Sequence, residues 1–325
     1  MKNNNTIVFA GCKDTTLECM SSLIEAGYKI DLLITITAEL AQKNMVAGFM
    51  DLRSYATANN IPVYVADSYS LKSEKDRVML AGIEIQLLLV IGWQRLIPEW
   101  MLARLGIGAF GMHGSSHALP YGRGRSPMNW SLIQNRASFI SNLFKYSPGV
   151  DDGDILDTQV FDINPFDNAK TMHYKSTLAM TGLLKKDLER MLNNEFELRK
   201  QMDINPTYYP KRTEEDGIIF WDKDTIEIYN LVRAVTRPFH GAFTFYNESK
   251  IMVWNGYPFD SRLFDPYILT GTVLHLFSNG DIIVKTGDGT FIITEYELDD
   301  DIRLRSGDTF HSGNYLYKNP YQYPS

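Results

Sequence analysis

The sequence predicts an α/β protein in which a mostly parallel sheet, with helices on both faces, precedes a small C-terminal β-barrel. Two observations carry this prediction. In the first part of the chain, short apolar runs alternate with stretches of helical periodicity, the pattern that builds parallel sheets. After about residue 205, short strands follow one another with turn signals between them, which is typical of a barrel. We therefore place a Rossmann-like domain at residues 1–205 and an OB-like barrel at residues 206–325.

The predicted strands and helices of the first part alternate along the sequence. Buried apolar runs predict strands at residues 6–10, 29–35, 61–65, 85–91 and 107–112, and helical spacing predicts helices at 15–26, 48–59, 71–80 and 168–198. Ligands on such sheets bind beyond the carboxyl ends of strands, near the point where the strand order reverses. The segments that follow strands are therefore the informative ones: residues 11–14, 92–97 and those from His113 onward. No G-x-G-x-x-G follows the first strand, so the dinucleotide fingerprint is absent.

The second part begins after a linker marked by Pro206 and Pro210. One helix is predicted at residues 224–235, followed by strands at 242–246, 250–254, 271–277, 281–286 and 289–297. The turn pairs Asn279-Gly280 and Asp288-Gly289 separate the last strands. The short strands and their turn signals thus predict a small β-barrel or sandwich.

Composition excludes several classes of protein. The net charge of the 325-residue chain is −7, which argues against a protein whose main task is to grip nucleic acid. Cys12 and Cys19 cannot form a disulfide framework and lack histidines at zinc spacing. The longest apolar stretch, residues 83–91, is interrupted by polar residues and is too short to span a bilayer. We expect a reduced, cytoplasmic protein without a membrane partner.

Residues 111–130 carry the strongest signs of chemistry. His113 lies at the carboxyl end of a predicted strand, where side chains point into the functional crevice. Ser126 and Pro127 begin a helix as its cap and first residue. Arg123 and Arg125 precede that helix and could bind an anion such as a diphosphate. A structural histidine and two surface arginines are the alternative interpretation of the same residues.

Three carboxylates follow in a glycine-flanked loop: Asp151, Asp152 and Asp154. They could ligate a metal ion through oxygen. Alternatively, one of them could orient and charge a histidine. Sequence spacing leaves both possibilities open.

Together these segments resemble the signature of the folate-dependent formyltransferases, the group that contains methionyl-tRNA formyltransferase and the sugar-nucleotide N-formyltransferases. The matching motifs, in order, are Met112-His113, Leu119-Pro120, Arg123-Gly124, Pro127-Met128-Asn129-Trp130, Gly149-Val150-Asp151-Asp152-Gly153-Asp154, Thr236-Arg237-Pro238 and Gly241-Ala242-Phe243-Thr244. The resemblance extends from about residue 7 to residue 309. It departs from the family at Gly111, which occupies the position of the catalytic Asn, and in a longer loop that contains His117.

The resemblance implies a mechanism in which 10-formyltetrahydrofolate is the co-substrate and no metal is needed. His113 would take the proton of the attacking amine or hydrogen-bond the oxyanion, and Asp151 would fix the tautomer of His113 and raise its basicity. The folate pocket would be formed by Gly92, Trp93, Arg95, Ile97, Val150 and Asp151. Trp93 and Ile97 could instead be ordinary core residues. Because glycine has no donor, His113, a backbone N–H or the longer loop would hold the oxyanion.

The charge of the loop after the second predicted strand indicates which kind of amine acceptor the protein uses. Residues 35–44 contain one lysine, Lys43, and one glutamate, so the loop is poorly equipped to grip tRNA. The resemblance then favours a nucleotide-linked deoxyamino sugar, bound by Lys43, His117, Arg123 and Arg125, with a role in surface-polysaccharide biosynthesis. Methionyl-tRNA is the second candidate acceptor, and a non-catalytic homologue that binds folate or a partner is the third. Relatives that modify sugars often pair, so a homodimer is possible.

Overall fold

The computed structural model describes residues 5–323, which form two compact units. The first unit takes the residues up to 124, together with 140–161 and 174–207. The second takes 125–139, 162–173 and the residues from 208 onward. The sequence places the main division at residue 205, and the units divide the chain at 207 with two earlier segments assigned to the second unit.

The secondary structure alternates in the first part and is mostly strand in the last part. The strands are β1 (Ile7–Ala10), β2 (Leu32–Thr35), β3 (Val63–Val65), β4 (Leu87–Val90), β5 (Gly108–Ser115), β6 (Arg123–Gly124), β7 (Ser138–Lys145), β8 (Ile155–Asp162), β9 (Tyr208–Tyr209), β10 (Ala242–Tyr246), β11 (Ser249–Phe259), β12 (Val273–Leu276), β13 (Ile282–Lys285) and β14 (Thr290–Glu297). The helices are α1 (Asp14–Glu25), α2 (Ala38–Lys43), α3 (Arg53–Ala58), α4 (Glu74–Ala81), α5 (Glu99–Leu102), α6 (Pro127–Ile133), α7 (Ala169–Leu192) and α8 (Thr225–Val235).

The first unit is built on a mostly parallel sheet, as predicted, with strand order β3-β2-β1-β4-β5-β7-β8. Alternate residues of β1 and β4 enter two separate apolar clusters, Phe9 and Leu89 on one face and Ala10 and Val90 on the other. Strands buried on both faces read as continuous apolar runs, which is why the sequence marks them so clearly. The strand order reverses between β1 and β4, so the crevice for a ligand lies at their carboxyl ends.

The strand that carries His113 is longer than the sequence predicts. β5 runs through His113 to Ser115, whereas its parallel neighbour β4 ends at Val90, which pairs with Gly111. Beyond that point β5 is held by β7, which runs antiparallel and pairs Asn142 with His113. His113 therefore lies inside a strand that projects past the parallel part of the sheet. The sequence analysis did not identify β7 or β8.

The start of α6 differs from its prediction in one respect. Pro127 occupies the first helical turn as expected, but the side chain of Ser126 makes no capping hydrogen bond. Ser126 adopts a left-handed backbone conformation with φ of 56°. A capping hydroxyl requires the extended conformation to reach the free N–H groups, so the prediction of a good cap was wrong.

The second unit contains the predicted antiparallel strands, in the order β10-β11-β14-β13-β12. The turn pairs Asn279-Gly280 and Asp288-Gly289 connect the strands that they were expected to connect. Residues near the C-terminus link the two edges of the sheet: His311 bridges to Phe245 of β10, and Thr309 bridges to Thr272 beside β12. The five strands thereby close into a barrel-like arrangement.

Two segments from earlier in the chain belong to this unit because buried side chains anchor them to α8. The amide of Asn129 donates a hydrogen bond to the carbonyl oxygen of Ala234 at 2.6 Å. The guanidinium of Arg233 donates to the carbonyl oxygens of Asn164 and Asp167 at 3.0 and 2.9 Å. Burial lowers the pKa of Arg233, and its hydrogen bonds compensate for the lost hydration of its charge.

Candidate active site

The histidine and the aspartate of the signature meet at the projecting end of β5. Nδ1 of His113 lies 3.4 Å from Oδ2 of Asp151. The His113 side chain is only 6% exposed and that of Asp151 19%, so solvent screens the pair weakly. On the other side of the ring, Nε2 of His113 lies 2.9 Å from the carbonyl oxygen of Gly122. Both ring nitrogens thus face oxygen acceptors, and only the doubly protonated ring can donate to both.

The Asp151 carboxylate is fixed by its own loop and by two other segments of the first unit. Asp151 adopts a left-handed conformation with φ of 50°, and its Oδ2 accepts a hydrogen bond from the backbone N–H of Gly124 at 3.0 Å. Nε2 of Gln201 donates to the carbonyl oxygens of Asp151 and Gly153, both at 2.8 Å. Gln201 could not be predicted from the sequence, because it lies outside every recognised motif.

Of the four residues predicted to bind the acceptor, Arg123 is linked to this cluster through Gln201. Its Nη2 donates to Oε1 of Gln201 at 2.6 Å, so its guanidinium supports the Asp151 loop. The backbone N–H of His117 donates to Oγ of Ser115 at 3.2 Å. Lys43 is exposed at the end of α2. Arg125 is exposed in the second unit.

The segment after β4 supplies the residues predicted for the folate pocket. Gly92 follows the strand with a positive φ of 72°, and a Cβ there would lie 2.6 Å from Oγ1 of Thr16, so the turn requires glycine. Trp93 is buried against Tyr69, with ring centroids 4.7 Å apart, and Ile97 is buried in the same cluster. Arg95 lies over the Tyr69 ring at 4.9 Å. Val150, from the Asp151 loop, is 42% exposed.

At Gly111, the position of the family's asparagine, the space for a side chain is taken up by Tyr146. A Cβ on Gly111 would lie 2.7 Å from the hydroxyl oxygen of Tyr146 and 2.8 Å from the carbonyl oxygen of Val90. No side chain fits there while Tyr146 keeps its place. Burial, and secondarily the charge of Asp151, raises the pKa of the Tyr146 phenol. The sequence analysis did not single out Tyr146.

The acidic loop presents its carboxylates separately. Asp151 faces His113, while Asp152 accepts a hydrogen bond from the hydroxyl of Ser147. Between residues 5 and 323, no three histidine, cysteine, aspartate or glutamate side chains are placed to hold a metal ion.

Over the same span, no helix has the length and apolarity needed to cross a membrane. Cys12 and Cys19 are both buried and unpaired with each other, and burial raises the pKa of the Cys19 thiol to about 12.

Comparison with known proteins agrees with the architecture and the motifs. Residues 211–313 match the family model for the formyl transferase C-terminal domain. The fold is similar to that of WlaRD, a sugar 3-N-formyltransferase solved with dTDP and 5-N-formyl-THF, with a TM-score of 0.64 and 19% identity over 92% of this chain and 99% of that one. It is equally similar to the N-formyltransferase of Helicobacter canadensis in complex with folinic acid and dTDP-3-aminofucose (TM-score 0.64, 19% identity, 90% of this chain and 100% of that one).

Methionyl-tRNA formyltransferase from Clostridium thermocellum is also similar, with a TM-score of 0.57 and 16% identity over 91% of this chain and 99% of that one. At these identities the solved structures establish the fold, and the family model establishes the C-terminal domain. Both findings support the predicted formyl-transferring enzyme. The chain thus contains a formyltransferase C-terminal domain and has the fold of the folate-dependent formyltransferases, the family that its motifs predict.

Proposed function

We propose that this protein transfers a formyl group from 10-formyltetrahydrofolate to the amine of a nucleotide-linked deoxyamino sugar. The observation that carries the proposal is the His113–Asp151 pair, 3.4 Å apart, at the ligand-binding edge of the sheet. A histidine held by a carboxylate is a general base for an amine, and such proton transfer typically contributes about 100-fold to 10,000-fold in rate.

Residues of the segment after β4 and of the Asp151 loop would hold a reduced folate. A pterin needs apolar walls and a few fixed polar groups. Leu96 and Val150 offer exposed apolar surface, 48% and 42% exposed respectively. When bound, the folate would supply the formyl group carried on its N10 nitrogen.

His113 would move the proton that leaves the attacking amine. With its Nδ1–H donated to Asp151, the neutral ring would be the base at Nε2, and Nε2 would have to exchange its contact with the carbonyl oxygen of Gly122, 2.9 Å away, for the approaching amine. The resulting charged ring donates from both nitrogens, to Asp151 and to the carbonyl oxygen of Gly122.

The surface near β2 favours a small acceptor over tRNA. Helix α2, which follows β2, carries Glu39 in its first turn and Lys43 in its last, so their charges cancel. Affinity for tRNA depends on neutralising several phosphates, which one lysine cannot do. WlaRD and the Helicobacter canadensis enzyme, which share this fold, were solved with dTDP or a dTDP-linked amino sugar. These features support a sugar nucleotide as the acceptor.

A turnover assay with a panel of acceptors tests this proposal. The purified protein is mixed with 10-formyltetrahydrofolate and nucleotide-linked amino sugars that differ in base and amine position. Tetrahydrofolate release and the mass of the formylated product are measured. We expect at least one sugar to be formylated and methionyl-tRNA to remain unmodified. Turnover with methionyl-tRNA alone would favour the second acceptor, and folate binding without any turnover would favour a non-catalytic homologue.

A further inference from the structure

Gly111 leaves an opening in the strand that carries the histidine. Gly111 and His113 are two residues apart on β5, so they present the same face. The hydroxyl of Tyr146 occupies the space where a side chain at position 111 would begin, since a Cβ there would lie 2.7 Å from Oη and 2.9 Å from Cζ of Tyr146. A hydroxyl from another segment is thereby placed on the face of β5 that His113 shares.

The surrounding structure holds Tyr146 in this position. Tyr146 directly follows the last residue of β7. Its backbone N–H donates a hydrogen bond to the carbonyl oxygen of Ala109 at 2.8 Å. Its ring packs edge-on against Phe144, with centroids 5.1 Å apart. Two restraints on one residue fix the hydroxyl in advance, so no reorganisation is needed when charge develops beside it.

The Tyr146 hydroxyl is available as a donor. Burial and the nearby Asp151 carboxylate raise the pKa of this phenol, so it keeps its proton at neutral pH. Across residues 5–323, no protein group forms a hydrogen bond with its Oη. The other polar side chain on this face, His113, has its own role in the proposed function, the transfer of the amine proton.

We propose that the Tyr146 hydroxyl stabilises the negative oxygen that develops on the formyl carbonyl during transfer, a role that Gly111 makes sterically possible. This inference rests on the proposed function. In the first step, the amine lone pair bonds the formyl carbon and the π pair of the carbonyl moves to its oxygen, to which Tyr146 donates a hydrogen bond without giving up its proton. The ammonium proton passes to His113 and then to N10 as the carbonyl reforms and the carbon–N10 bond breaks. Tetrahydrofolate and the formamide are the products, and both side chains regain their starting protonation.

Tyr146→Phe tests the inference because it removes only the hydroxyl and keeps the ring on Phe144. We expect kcat to fall on the order of 100-fold, the usual effect of losing one oxyanion donor, with KM for the amine and folate affinity within about twofold of wild type. A purely structural role would instead lower the melting temperature or the folate affinity together with kcat. Tyr55→Phe is the matched control: this half-buried tyrosine packs on the core of the same unit, and its variant should keep full turnover.

A second variant changes Gly111 on β5 and leaves Tyr146 itself intact. Gly111→Ala adds a methyl group against the Tyr146 hydroxyl, and we expect turnover to fall while folate binding persists. Wild-type turnover combined with near-normal kcat in Tyr146→Phe, or in a folded Gly111→Ala, would overturn the role of Tyr146. Absence of turnover in the wild-type protein with every amine would overturn the proposed function instead, so the two failures are distinguishable.

Discussion

Nδ1 of His113 and Oδ2 of Asp151 lie 3.4 Å apart, although the two residues come from different segments of the first unit. The same Oδ2 accepts the backbone N–H of Gly124, and Nε2 of His113 faces the carbonyl oxygen of Gly122. The loop around residues 122–124 therefore touches both members of the pair. This arrangement fixes the imidazole and leads to specific expectations for substitutions.

His113→Ala should lower kcat by about 100-fold to 10,000-fold, because it removes the group that takes the proton of the amine. Turnover is measured as tetrahydrofolate release, and the melting temperature checks the fold. His117→Ala is the control and should leave kcat within a few-fold of wild type. If His113→Ala retains near-normal turnover while His117→Ala loses it, His117 is the base and our assignment is wrong.

Asp151→Asn should lower kcat on the order of 100-fold while preserving the shape of the loop. The amide has no charge to stabilise protonated His113, and its N–H group can face the ring in place of an oxygen. Asp152→Asn, one residue along and bonded to Ser147, should behave as wild type. Equal losses in both variants would indicate that the charge of the loop as a whole, and not the contact with His113, supports the reaction.

Gln201→Ala should lower kcat about tenfold with little change in KM, because Gln201 positions the backbone that carries Asp151. Each lost hydrogen bond is worth about 1 kcal/mol, so a small fall in the free energy of unfolding should accompany it. Because Arg123 acts through Gln201, the double variant with Arg123→Ala should be no slower than the slower single variant. Gln159→Ala, on the exposed part of β8, is the control. Additive effects of the two substitutions would show that Arg123 acts independently.

Asp76→Asn should make stability less dependent on pH. Burial alone would raise the pKa of this carboxyl, but hydrogen bonds from the N–H groups of Asp67 and Ser68 and from the Tyr64 hydroxyl together outweigh burial and lower it. A lowered folded-state pKa stabilises the protein above the unfolded value of about 3.9, and this contribution is lost as the pH falls through the folded value.

The free energy of unfolding of Asp76→Asn should therefore lie about 2 kcal/mol below that of wild type at pH 7, a difference that shrinks on acidification below about pH 4. Denaturant titrations over this pH range measure it. Glu74→Gln, exposed in the same helical turn, is the control and should give no such difference. A gap that stays constant with pH would show that the Asp76 charge is not the source of the stabilisation.

The order and type of most elements could be predicted from residue patterns alone, because these features depend on local periodicity. The buried strands of the first sheet and the strands after residue 241 lie close to their predicted bounds, and glycine turns separate them as expected. The signature motifs also identified the family, because they are recognised from residue types and their order along the chain, without any knowledge of contacts.

Contacts between residues distant in the sequence could not be predicted in this way. β7 pairs antiparallel with β5, so His113 lies inside a strand. The residue patterns of β5 and of β7 do not show that these two strands pair. Gln201 contacts the Asp151 loop, and Tyr146 fills the space beside Gly111, through contacts that no motif spacing records. The physical reason is that periodicity reports which face of an element is buried, whereas the partner on that face is selected by the packing of the whole chain.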